Sequence, residues 1–223
     1  MALFGGLFGK KDSGSGSVGN ASVGQEVKFG VFPQDEKGKK LSPVTWQVLD
    51  KKGGRMLLIS SQGLLCRQFY PRRATWNETI GWEKSSLREW LNGEFFEKCF
   101  SPEDKAMIAE TDVPADPNPT HKQVSPGSAT KDRVFLLSIS EAEKYFPAKD
   151  SRKCPRTRFA AACGAWTSSG PDAGNACWWL RTPGSSQSRI ACVGADGEML
   201  TGGVDIDDGT TCCIRPAVWV IVN

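Results

Sequence analysis

Two stretches decide the fold: Trp178-Trp179-Leu180-Arg181-Thr182-Pro183-Gly184 and Ile214-Arg215-Pro216-Ala217-Val218-Trp219-Val220-Ile221-Val222. Each is a short, dense apolar run next to Gly or Pro, which is how a buried strand reads. Each also carries one arginine among apolar neighbours. A buried guanidinium must be paired or heavily hydrogen-bonded. Arg181 and Arg215 are therefore expected to order loops by bonding carbonyls or an acidic side chain, with a ligand anion site as the competing reading. The second run is expected to be tied into a sheet, because an untethered apolar end frays.

Upstream, Glu26 to Phe32 alternates polar and apolar residues, the period of a half-buried strand. Val44 to Leu49 alternates again, Asp50-Lys51-Lys52-Gly53-Gly54 supplies a turn, and Arg55 to Ser60 returns, which predicts a hairpin. Leu87, Trp90 and Leu91 share a helical face behind a Ser85 or Ser86 cap. Ser101-Pro102-Glu103-Asp104 opens a second helix through a capping box with Pro at the first helical position. Ser140-Glu141-Ala142-Glu143 repeats the box for a short helix to Phe146, after a buried strand at Val134 to Leu137. Residues 111–131, rich in Pro, Asn and Ser, read as a long surface loop. Residues 12–24 are a Gly/Ser linker that buries nothing, so structure is expected from Gln25. Strands towards both ends with helices between them predict an α+β domain over 25–223, behind a flexible tail at 1–24.

Composition narrows the function. The 28 Lys and Arg nearly balance the 25 Asp and Glu, leaving a net charge of +3. A protein that neutralises nucleic-acid phosphates carries a larger clustered excess, so nucleic acid is not an expected partner. No run of about 18 apolar residues predicts a membrane span. The start, Met1 to Lys11, places apolar residues before basic ones, the reverse of a secretory signal. The chain is expected to be cytoplasmic as synthesised, with membrane association or display on a particle as the alternative; residues 1–11 are the candidate for weak membrane or partner docking, through Leu3, Phe4, Leu7 and Phe8. The single histidine, His121, restricts any His-based triad or multi-His metal site. The eight cysteines include no Cys-x2-Cys pair, and no base singles one out as a nucleophile. The acidic run Asp205-Ile206-Asp207-Asp208-Gly209 departs from the EF-hand spacing at Gly209. No catalytic residue, metal site or cofactor is expected.

Eight tryptophans supply core. Each buries on the order of 200 Å2, and Trp46, Trp90, Trp178 or Trp179, and Trp219 are expected to be mostly core, while Trp76 and Trp82, in a polar context, divide evenly between core and surface.

The motifs form an order: Trp46-Gln47-Val48-Leu49; Leu57-Leu58-Ile59-Ser60; Ser86 to Phe96; Phe135-Leu136-Leu137-Ser138 with Glu141; and the two stretches quoted first. Together they resemble an uncharacterised bacterial and phage domain family, over about residues 26–222. Some of its members are similar to variable proteins diversified by retroelements. The resemblance implies a C-type-lectin-like fold: small mixed or antiparallel sheets, two or three helices and a loop-rich C-terminal third. It also implies a ligand-display module, not an enzyme, that meets a protein or cell-surface ligand through loops at about 182–211. The expected variable surface takes Ser185, Ser186, Gln187, Ser188, Arg189 and Ile190, then Cys192, Gly194 and Ala195. It continues through Glu198, Leu200 and Thr201 to Asp205, Ile206, Asp208 and Thr210. The alternative is a structural or assembly module of a phage or cell-surface apparatus, without diversification.

Overall fold

The computed structural model describes residues 18–75 and 78–222. The proposed docking segment 1–11 and Trp76 lie outside the described residues. Among the described residues, ten strands and five short α segments follow in order: β1 (Glu26–Pro33), β2 (Leu41–Lys52), β3 (Arg55–Ser60), α1 (Ser86–Trp90), α2 (Phe96–Cys99), α3 (Pro102–Met107), β4 (Thr111–Val113), β5 (Thr130–Asp132), α4 (Ile139–Tyr145), α5 (Arg158–Ala162), β6 (Cys177–Pro183), β7 (Arg189–Val193), β8 (Met199–Asp205), β9 (Cys212–Cys213) and β10 (Ala217–Ile221). The chain is α+β. Among the described residues no helix is long and apolar enough to cross a membrane.

One sheet runs β1-β2-β3-β10, all antiparallel. Its β2–β3 hairpin turns at Gly53 and Gly54, both at positive φ (58° and 69°), the conformation that a two-residue primed turn demands. The last strand is tied in on both edges. It pairs with β3 on one side, and on the other it bridges Phe135 at Ala217 and Ile108 at Val220. Val134 to Leu137, expected as a strand, is buried but forms no strand, making only that single bridge at Phe135. Asn92 holds it in place: the Asn92 amide donates to the Val134 carbonyl and its oxygen accepts from the Arg133 and Val134 amides.

The second sheet runs β8-β7-β6-β9, with β9 parallel to β6. Every residue of β6 is buried, as a central strand covered on both faces requires. Within the C-terminal third, expected to be loop-rich, β6 to β9 form this sheet with turns and loops between them. The sequence also predicts two or three helices; the structure joins α1 to α2 through a π-helical turn, Leu91–Phe95, and adds α5.

Between the sheets lies one core. Trp46, Trp178 and Trp179 are fully enclosed, Trp82 and Trp90 nearly so, and Trp219 packs against the cluster from the edge. A buried indole N–H needs a partner. Trp46 donates to the Phe29 carbonyl (2.7 Å), Trp178 to Arg152 (3.0 Å), Trp179 to Arg67 (3.0 Å) and Trp82 to the Asp132 carboxylate (2.8 Å). Order also begins earlier than Gln25: Val18 and Ala21 enter this core from a 3-10 turn at Val18–Asn20.

Candidate binding surface

β6 and β7 are joined by turn 184–188, and β7 and β8 by turn 194–198. The two turns stand at opposite ends of the sheet, a strand length of about 17 Å apart. The expected site residues therefore divide.

At the first end the turn is tightly pinned. Gly184 N–H donates to Arg189 O (2.7 Å), Ser185 N–H to Gly202 O (3.0 Å) and Ile206 N–H to Ser188 O (3.0 Å). The Arg189 guanidinium pairs with Asp205 (3.1 Å) and donates to the carbonyls of Gly202 (3.1 Å) and Gly203. Gly203 sits at φ 75°, and a Cβ there would lie 2.1 Å from the Ile190 carbonyl oxygen, so only glycine fits this crossing. Ser186 and Gln187 remain exposed at the tip, with Ser185, Ser188, Arg189, Thr201 and Asp205 half-buried around them.

Two contributions to this end come from outside 182–211. Arg73 reaches in to pair with Asp205 (3.0 Å) and Asp207 (3.6 Å). The fully buried Asn118 amide donates to Pro183 O (2.7 Å) and Thr201 O (2.8 Å), while its oxygen accepts from the Thr120 and His121 amides. That places the His121 ring beside Gly202. The stretch 111–131 is thus anchored to the sheet, and it carries the β4–β5 pair where a plain loop was expected. Asn-Pro-Thr-His is a turn-forming run in the sequence, but its partner carbonyls lie more than sixty positions away, which periodicity cannot reveal.

The opposite end holds Glu198, whose carboxylate shares Lys149 with Asp196 (3.2 and 2.7 Å). The Lys149 ammonium is the main cause that holds the Asp196 carboxyl below its ordinary range. Leu200 is exposed on the edge strand β8.

Residues 206–211 run from the first end towards the second. Gln68 donates to Asp207 O (2.6 Å) and Tyr70 N–H to Ile206 O (2.9 Å). Burial pushes the Asp208 carboxyl up, but hydrogen bonds from Thr211 and Thr210 outweigh it and leave it below the usual range. Asp208 is thus committed to its own turn. Thr210 is exposed, and its carbonyl accepts from Trp166 N–H (3.1 Å). Trp166, 51% exposed, is a surface aromatic that sequence reading passed over; its polar Thr-Ser-Ser-Gly context was the available signal.

Five expected surface residues are corrected. Ile190, Cys192 and Ile206 are wholly buried, and Gly194 and Ala195 are buried as well. Ile190 and Cys192 lie on β7, the interior strand of the meander, and Ile206 belongs to the core cluster, its carbonyl accepting from Tyr70 N–H. Gly194 and Ala195 close the turn against β6.

The family model described as "Domain of unknown function (DUF6273)" matches residues 53–222. The chain belongs to the DUF6273 family. The matched stretch starts in the β2–β3 turn, so β1 and β2 complete the DUF6273 domain's first sheet from outside it. No curated protein matches the chain, and no solved structure does.

Both core arginines of this domain bond carbonyls. Arg181, 3% exposed, donates to Pro114 O (3.2 Å) and Leu136 O (2.8 Å) and pairs with Asp116 (3.2 Å) and Glu141. Arg215 donates to Ser60 O (2.9 Å) and lies between the Phe146 and Trp178 rings, 4.8 and 4.9 Å from their centroids. The acidic partners and carbonyls make Arg181 an ordering residue between β6, α4 and residues 114–116.

Proposed function

We propose that this DUF6273 domain is a ligand-binding display module with a C-type-lectin-like fold, not an enzyme. Its contact face is the end of the second sheet formed by turn 184–188, β8 and Arg73. The carrying observation is the contrast within one sheet: β6 is buried along its whole length, whereas Ser186 and Gln187 at the adjoining tip are exposed. A frame of that kind holds adaptable side chains at small cost to its core. The neighbouring Ser, Thr, Gly and His121 side chains suit a protein or cell-surface ligand, as loop paratopes do. Retroelement diversification of Ser186, Gln187 and their exposed neighbours belongs to the same reading. Ile190, Cys192 and Ile206 then count as frame.

A photo-crosslinking residue at Gln187, in the chain expressed in its native cell, should yield a discrete adduct. The same residue at Lys52, on the hairpin turn of the other sheet, should not. Identical adduct patterns from both positions would overturn the contact face. Diversification itself predicts a neighbouring reverse-transcriptase gene with a near-copy of the segment encoding residues 178–219, differing at adenines. A near-copy with differences scattered over all four bases would contradict it.

A further inference from the structure

Cys66 and Cys213 are far apart in the chain, yet their Sγ atoms lie 3.1 Å apart. The two residues are also bridge partners in antiparallel chain. Such partners have Cα atoms about 4.5–5.5 Å apart, inside the roughly 4.4–6.8 Å window of a disulfide. The backbone on both sides is already fixed: Leu64 N–H donates to Ile214 O (3.0 Å) and Ile214 N–H to Leu65 O (2.7 Å). Gly63 backs the Cys213 side chain so closely that a Cβ there would fall 2.7 Å from the Cys213 Cβ. The bridge thus already holds the two residues within disulfide range.

We propose that Cys66 and Cys213 are a reversible disulfide site, closed by thiol–disulfide exchange with a small-molecule disulfide such as oxidised glutathione. Access sets the order of events, since Cys66 is 9% exposed and Cys213 fully buried. The Cys66 thiolate attacks one sulfur of the glutathione disulfide. That S–S bond breaks, and one glutathione thiolate leaves. Cys213 then loses its proton and attacks the Cys66 Sγ, expelling the second glutathione thiolate. In sum the two protein thiols lose two electrons and two protons, and one glutathione disulfide becomes two glutathione thiols. The hydrogen bond to Cys66 is the first cause that raises the Cys213 thiol, ahead of burial. Cys212, the neighbour in the vicinal pair, is hydrogen-bonded to Cys192 on the other side, and both are fully buried away from oxidant.

Closure would join positions 147 residues apart. It would also staple the base of the proposed contact face, because Gln68, Tyr70 and Arg73 after Cys66 hold residues 205–207 ahead of Cys213. The disulfide inference stands on the thiol geometry and does not depend on a ligand.

The test uses the folded full-length chain with Cys163→Ser, which removes the exposed competitor. It is treated with oxidised glutathione at about pH 8, near the ordinary thiol pKa, alkylated, and digested without reduction for mass spectrometry. The expected product links the peptides bearing Cys66 and Cys213, lighter by two hydrogens, and dithiothreitol reverses it. The oxidised form should melt at least about 5 °C above the reduced form. With Cys213→Ser added, Cys66 should stop at a glutathione adduct, with no link. Peptide mapping of the chain that keeps both thiols decides the matter even where that variant fails to fold. Recovery of Cys66 and Cys213 as alkylated thiols, or a link from either to any other cysteine, would overturn the proposal.

Discussion

Arg181 and Arg215 are equally buried but bonded differently: all three Arg181 nitrogens donate, whereas Arg215 Nη1 has no hydrogen-bond partner among the described residues, and substitution should separate them. Arg181→Leu takes a donor from two carbonyls and from two carboxylates, Asp116 keeping the Ser140 hydroxyl and Glu141 the Ser138 N–H. Breaking one side of a buried pair costs about 3 kcal/mol or more, so melting should fall by about 6–12 °C. Arg215→Met loses one hydrogen bond and two ring contacts and leaves no carboxylate stranded. Its cost should stay near 1–2 kcal/mol. Thermal denaturation of the two variants checks the order, and equal losses would contradict it. The sequence showed that both arginines must be bonded, but their partners come from distant segments. Cys192 and Ile206 were misread for a related reason. A small or apolar residue in a Gly/Ser-rich stretch carries no local mark of whether its strand faces inward.

At the scale of elements, local chemistry was legible where it is self-contained. The β2–β3 hairpin and the Ser101–Asp104 capping box are found where the residues put them. The next box is shifted by two positions: Ser138 caps α4 and Glu141 returns the bond, so Ser140 and Glu143 are not the pair. Both registers satisfy the motif, and burial of Ile139 and Ala142 selects the observed one. Ser138→Ala should therefore cost about 1 kcal/mol, and Glu143→Ala less than about 0.5 kcal/mol, measured by denaturant titration. Strand β8 was invisible because Gly202 and Gly203 break its alternation; it is a strand through pairing with β7. Asp208 makes the 206–211 turn acid-sensitive. Its folded pKa lies below the ordinary 3.8, so its contribution is present above that value and is lost as pH falls through the lowered one. Amide exchange at Thr210 and Thr211, corrected for intrinsic rate, should accelerate on acidification below pH 3.8, and Asp208→Asn should flatten that dependence.

For the molecule as a whole, the two sheets share one core, and the family match begins at the exposed β2–β3 turn, with part of that core ahead of it. Removing residues 1–52 would unpair one edge of β3 and take away Trp46 and the ring contacts of Phe29 with Phe100 and of Phe32 with Phe95. A fragment that starts at Gly53 should show no cooperative melting transition by circular dichroism; a sharp transition would mean that β1 and β2 are dispensable. The central claim is that a tryptophan-filled frame carries a tolerant tip. Two panels melted side by side test it most directly. Ser186, Gln187, Glu198 and Thr210 replaced together by Ala should leave melting within about 2–4 °C of the parent. Ile206→Ala alone should cost about 2–5 kcal/mol, a drop of roughly 4 °C at the least. A quadruple surface variant that melts as low as Ile206→Ala would contradict the account.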